Sequence, residues 1–438
     1  MAPQVNPYQD FHRECVDSSR TWQSEAPANL QWLSDERQQG LSCFEKVNWP
    51  TRKTESWKYS PITPFVQGNL LNVEHRPEKA TGQRLDGDHY HVDIVNGHVF
   101  ADDLVKDDAF DIIPFSTDAT VNQALIKKYL NKAFKLSDHP FAIWNASILQ
   151  DGLLIRIHSD KQPARPICIN HISNAHKQNS SSHTRVLIVS EAGSKATVIE
   201  NYRSTETSFK TMANVLNEVY LAENSHLTHL AVNGEDSHHL HTGAVFVEQQ
   251  SGSQFIQHNF ATGSHLKRRD IQVKLLGPQA DCKLYGAYVI GGKDHVDYHT
   301  TLDHVAPHCT SEETFKGIIT DQGKAVFNGR IHIHPDAQQS DAQLNNQNLL
   351  LTNTAEVNTK PELEIYADDV KCAHGATVGQ LDENALYYFQ TRGISKAAAN
   401  KMLSHAFVDI IINEIKVGAV RQYVTALTDD FLASDTTR

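Results

Sequence analysis

Four groups of side chains in this sequence have the types and spacing for metal chemistry. His295, Asp297 and His299 alternate, so an extended strand would set all three on one face. His304, His308 and Cys309 follow closely, and His332 and His334 alternate in the same way. Imidazole and carboxylate together suit zinc or non-haem iron. The plainer alternative is a solvated strand face in a chain with 25 histidines, and residue types alone favour it. The fourth group is Cys372-Ala373-His374, where thiol and imidazole would point the same way and suit iron or an iron–sulfur species. Its alternative is a buried, inert cysteine beside a surface histidine. Asp368 and Asp369 are expected to hinder thiolate formation, and Lys371 to help it. A cluster takes about four protein ligands, and this segment supplies two. A second chain is therefore expected to complete any such site.

Other chemistry is excluded by what the sequence lacks. It contains no GxxxxGK[ST] loop, no GxGxxG opening a helix, no HExxH and no GxSxG. ATP hydrolysis by this chain alone is not expected. The six cysteines form no CxxC pair, and reduced thiols are the expectation. The formal charge of −12 argues against nucleic acid or an anionic membrane as partner. No apolar run is long enough to span a bilayer. Asp10, Glu14 and Asp17 fit neither a secretory signal nor a transit peptide, so a cytoplasmic location is expected.

The elements that would position these residues fall into three stretches: 1–140, 141–370 and 371–438. The first is mixed and mostly helical. Phe11, Cys15 and Val16 suit one helix face; Leu30, Leu33, Arg37 and Leu41 suit a second, weakened near its end by Gly40 and Ser42. Asn96-Gly97 between Val92–Val95 and His98–Phe100 predicts a hairpin. Val121, Leu125 and Tyr129 mark one more helix. The second stretch is a series of short β-rich runs split by turns, with no amphipathic helix. Its length favours a β-solenoid of about five to eleven coils over a sandwich. Asn345-Asn346-Gln347-Asn348 suits the corners of such a coil. In the third, Asp382 to Gln390 predicts a short helix stopped by Gly393. Ser395 caps a longer one whose apolar stripe is Ala398, Met402, Leu403, Ala406, Phe407, Ile410, Ile411 and Ile415. Val420, Val424, Leu427 and Phe431 mark a last piece. These helices are expected to help cover the end coils of the solenoid.

Several passages carry a family resemblance. Tyr366-Ala367-Asp368-Asp369-Val370-Lys371-Cys372-Ala373-His374-Gly375-Ala376-Thr377-Val378-Gly379 resembles the signature region of the SufB/SufD family, the scaffold subunits of the SUF iron–sulfur cluster assembly system. Pro50-Thr51-Arg52-Lys53 with Trp57-Lys58-Tyr59, Asn358 to Ile365, and Leu386-Tyr387-Tyr388-Phe389 with Thr391-Arg392-Gly393-Ile394 agree with it. The Cys-Ala-His-Gly run is similar to the SufD branch rather than the SufB branch. The resemblance implies a right-handed parallel β-helix flanked by N-terminal and C-terminal helical domains. It implies a scaffold rather than an enzyme. SufB would pair with it through the β-helices, and the SufC ATPase would bind its C-terminal helices, here at Arg392, Gly393, Ile394, Met402 and Phe407. Cys372 and His374 would lie at the SufB junction and hold a nascent cluster transiently, with no cofactor bound stably by this chain alone. The competing readings are a polysaccharide-cleaving β-helix and a metal-dependent enzyme using His295, Asp297 and His299.

Overall fold

The computed structural model describes residues 7–74, 78–79, 84–100, 107–135, 139–174, 178–205, 209–236 and 238–435. Its centre is a parallel β-solenoid built from two sheets of ten and nine strands. Each turn contributes one strand to each sheet. From Asp151 onward, parallel register partners lie 26 to 33 residues apart, from Leu240 beside Leu266 to Asp151 beside Thr184. Like positions in successive turns therefore stack at the strand spacing of about 4.8 Å.

The strand pattern follows from what covers each face. In Asp281–Ile290, Cys282, Leu284, Tyr288 and Ile290 point into the solenoid, while Ala287 and Val289 point out. The outward pair is buried as well, because helices Lys396–Ile412 and Gly418–Asp435 lie over this sheet through Val408, Ile411, Ile415, Val420 and Val424. Full burial of each such side chain contributes about 1.5–3 kcal/mol. Gly393 (φ +82°) ends helix Glu383–Thr391, with its N–H donating to the Gln390 carbonyl at 3.0 Å. The Ser395 hydroxyl accepts from the Ala398 N–H at 3.2 Å and starts the next helix, as its position in the sequence predicts.

Helices Pro7–Glu25, Ser34–Phe44 and Pro140–Ile148 pack around Phe11, Phe44, Trp49 and Trp144 beside the solenoid. The last of these was not visible in the sequence, because every residue from Phe141 to Ile148 is buried. A helix buried all round has no apolar stripe to find. Gly40 does not weaken its helix end. A Cβ there would come within 2.6 Å of the Ala146 backbone, so glycine is what lets the two helices touch. Arg37 is buried and donates to the carbonyls of Leu30, Ile148 and Leu149, closing the C-terminal end of the buried helix. In Thr120–Tyr129 the buried residue is Ile126, while Val121 faces solvent.

The two ends of the solenoid are finished differently. At the first, strands Tyr90–Val95 and His98–Phe100 form the hairpin, with Asn96 (φ 45°) and Gly97 (φ 85°) at the turn. The hairpin ends one sheet, and Phe110–Pro114 runs antiparallel to Asp151–Ile157 and ends the other. At the second end, Glu356–Ile365 and Lys371–Gly379 are the outermost strands, and almost all their residues are half-buried or exposed. The C-terminal helices pack on the side of the solenoid and do not cover this end, contrary to the expectation from their position in the chain. The asparagine run also sits elsewhere than expected. Asn346 and Asn348 lie within strand Asp341–Leu350 and point inward, where Asn348 donates to Asn346 at 2.7 Å and accepts from Tyr288.

Candidate functional site at the open end

Cys372 and His374 lie on the last strand, Lys371–Gly379. Their register partners are Ala342 and Leu344, both buried in the solenoid interior. Register partners share a face, so thiol and imidazole line the inner side of the final turn, at its mouth. Cys372 is half-buried against the interior cluster and His374 is exposed. Burial raises the thiol pKa, and Asp341 on the neighbouring turn raises it further. The acid acting on the thiol is therefore Asp341, one turn back, not the Asp368 and Asp369 that adjoin it in sequence. A protonated thiol is a poor ligand until a cation or a basic partner lowers its pKa. Exposed apolar side chains mark this end of the solenoid: Ile365, Tyr366 and Val378 are 42, 61 and 45 % exposed.

Two of the other histidine groups are less available. His295 Nε2 lies 3.0 Å from the Ser60 hydroxyl, and Asp297 lies between His299 (3.0 Å) and Arg268 (2.9 Å). Those interactions hold Asp297 well below the usual carboxylate range despite its burial. Arg268 in turn sits over the Trp57 ring at 3.8 Å, so the Trp57-Lys58-Tyr59 passage docks the N-terminal region on the solenoid here. His304 is buried against Ser311 at 2.8 Å, its pKa lowered by burial to about 4, and Cys309 donates to the Gly277 carbonyl. These residues take up structural hydrogen bonds.

The C-terminal residues divide between two faces. Met402 and Ile410 are 50 and 61 % exposed, and with exposed Ala398 and Ala406 they form an outward stripe at four-residue spacing. Tyr387 and Tyr388 are exposed as well. Arg392 is exposed and donates to the Tyr388 hydroxyl at 3.0 Å, and Ile394 is half-buried. Phe407 turns the other way. It packs against the apolar contact with the solenoid, and the Lys316 ammonium lies 4.6 Å from its ring. The helix thus has two apolar sides, and the single stripe read from the sequence merged them.

The last turn thus leaves one edge of each of its two strands open, with a thiol and an imidazole at its mouth, as in a subunit built to be joined. Comparison with known proteins makes this specific. Residues 171–407 match the family described as SUF system FeS cluster assembly, SufBD core domain, and residues 18–169 match the SufBD protein N-terminal region. The chain belongs to the SufBD family of iron–sulfur cluster assembly proteins. It is 29% identical over 404 residues to iron–sulfur cluster assembly protein SufD of Escherichia coli, covering 90% of this chain and 92% of that one. Protein ABCI7, chloroplastic, of Arabidopsis thaliana is 25% identical over 94% of this chain and 88% of its own length. The SufD protein of Bacillus subtilis is 23% identical over 91% and 93%. Among the described residues no helix is long and apolar enough to cross a membrane.

Proposed function

We propose that this chain is the SufD-type scaffold subunit of a SUF complex and contributes Cys372 and His374 to a nascent cluster shared with SufB. The observation that carries this reading is the half-complete ligand pair on the inner face of a bare terminal turn. A second solenoid adding its own edge to Lys371–Gly379 would bury Tyr366 and Val378, satisfy the open strand edge and bring the missing ligands. SufC docks on the outward stripe of Met402 and Ile410 with Arg392, Gly393 and Ile394 beside it. Phe407 holds that helix on the solenoid, so motion of the docked ATPase is passed to the turns beneath. Iron and sulfur are cargo here, and the chain's own part is positional: it holds one soft and one borderline ligand at a junction that closes only when the partner is seated.

Co-expression of the tagged full chain with SufB and SufC tests this. Both partners should co-purify with the wild type. Met402→Glu with Ile410→Glu should lose SufC and keep SufB. His374→Ala should keep both partners and slow cluster formation on the complex at least tenfold. A wild-type rate with His374→Ala would remove that residue from the site, and a chain that captures neither partner would overturn the scaffold reading.

A further inference from the structure

A second cluster of ligands lies on the outer face of the solenoid, within two turns of the open end. Asp303 and His332 are register partners on adjacent strands, so stacking of the turns sets them side by side. His334 follows two residues on, on the same face, with its ring centroid 4.1 Å from that of His332. The ligand atoms of the three residues all lie within 4.8 Å of one another. Bonds of about 2.0–2.2 Å place neighbouring ligand atoms roughly 3–4 Å apart, so small side-chain rotations would close them on one ion. Asp303 and His332 side chains are 15 and 20% exposed, with His332 Nδ1 3.2 Å from the carboxylate.

We propose that Asp303, His332 and His334 form a binding site for a divalent transition metal of the iron(II) or zinc(II) class. Two imidazoles and one carboxylate on one face make a three-ligand set with positions left open for water or for exchange. The charge balance permits it. Arg330 nearby is neutralised by Glu364, which accepts from its Nε and Nη2 at 3.0 and 2.6 Å, and this leaves the Asp303 charge for the cation. The other compact set, Glu235, His239 and His241, differs on this point. The Lys267 ammonium already stands 3.3 Å from Glu235 and supplies the positive charge there. The Tyr366 ring packs edge-on to His332 at 5.5 Å, and Tyr366 opens the short turn that leads to Cys372. A metal held here therefore sits beside the chain segment that carries the junction ligands. Any use of it as a waiting place for iron rests on the scaffold reading, whereas the binding itself does not.

The test is titration of the untagged full chain with cobalt(II), followed by absorbance, and with anaerobic iron(II), followed by elemental analysis. One equivalent is expected, with weak visible bands of a nitrogen–oxygen ligand field. Asp303→Asn and His334→Ala should each weaken binding at least tenfold, with the melting temperature of each metal-free variant measured alongside to separate loss of a ligand from loss of the fold. Cys372→Ser with His374→Ala should leave binding unchanged. A thiolate-to-cobalt charge-transfer band, loss of binding only in the Cys372/His374 variant, or no stoichiometric binding would each overturn the proposal. Partner co-purification is scored separately, so failure here leaves the scaffold reading standing.

Discussion

Two buried carboxylates in the solenoid meet opposite surroundings, and the two ends of the solenoid are finished just as differently. Glu200, on Lys195–Ser204, accepts from His171 and His229 at 3.0 and 2.7 Å, and from Tyr202 and Asn217. These partners outweigh burial and hold it well below the ordinary carboxylate value. Glu313, on Thr310–Ile319, is equally buried, yet neither oxygen accepts a hydrogen bond. Burial pushes it up to about 8, and the nearby Thr300 hydroxyl, which makes no full hydrogen bond to it, offsets only part of that. The early turns are packed under helices and closed by a hairpin, although buried amides there, among them Asn201, Asn214 and Asn217, also keep an oxygen without a partner. At the other end the terminal strands are bare. A covered end and an uncovered end suit a subunit that is finished by a partner.

The contrast can be broken from the closed end first. Trp144→Ala, in the fully buried aromatic cluster, should cost about 3–5 kcal/mol and lower the denaturation midpoint sharply. A shift under about 1 kcal/mol would show that the N-terminal region does not anchor the fold. Next is Glu313→Gln. A carboxyl whose pKa rises on folding contributes stability below about pH 4.5 and loses it as pH climbs toward about 8. The variant should flatten that decline and be more stable than wild type at pH 8 by roughly 2–4 kcal/mol. Denaturation at pH 5 and pH 8 compares the two slopes, and parallel curves would count against an unpaired carboxyl.

Smaller effects sharpen the picture of the open end. Val378→Lys lies on the bare strand and should change the stability of the lone chain by no more than about 0.5 kcal/mol. The same change should weaken SufB capture at least tenfold, about 1.4 kcal/mol, in a quantitative pull-down. Equal capture would move the junction away from this strand. Ser395→Ala removes the cap of Lys396–Ile412 and should cost about 1 kcal/mol, seen as faster amide exchange in the first turn of that helix.

Local signals were legible. Asn96-Gly97 specifies its hairpin, Gly393 and Ser395 specify a stop and a start, and the run of short strands specifies a solenoid. Tertiary structure decided the rest. It showed that Pro140–Ile148 is a helix, because uniform burial erases the periodicity by which helices are read. It separated the Met402 face from the Phe407 face, since a stripe on paper does not say which side meets the solenoid. It brought Asp341 to the Cys372 thiol and Asp303 to His332, and it left the last turn uncovered. The physical reason is common to these last three. Stacked turns make neighbours of residues about thirty positions apart, and no local pattern of types or spacing records which turn is the last.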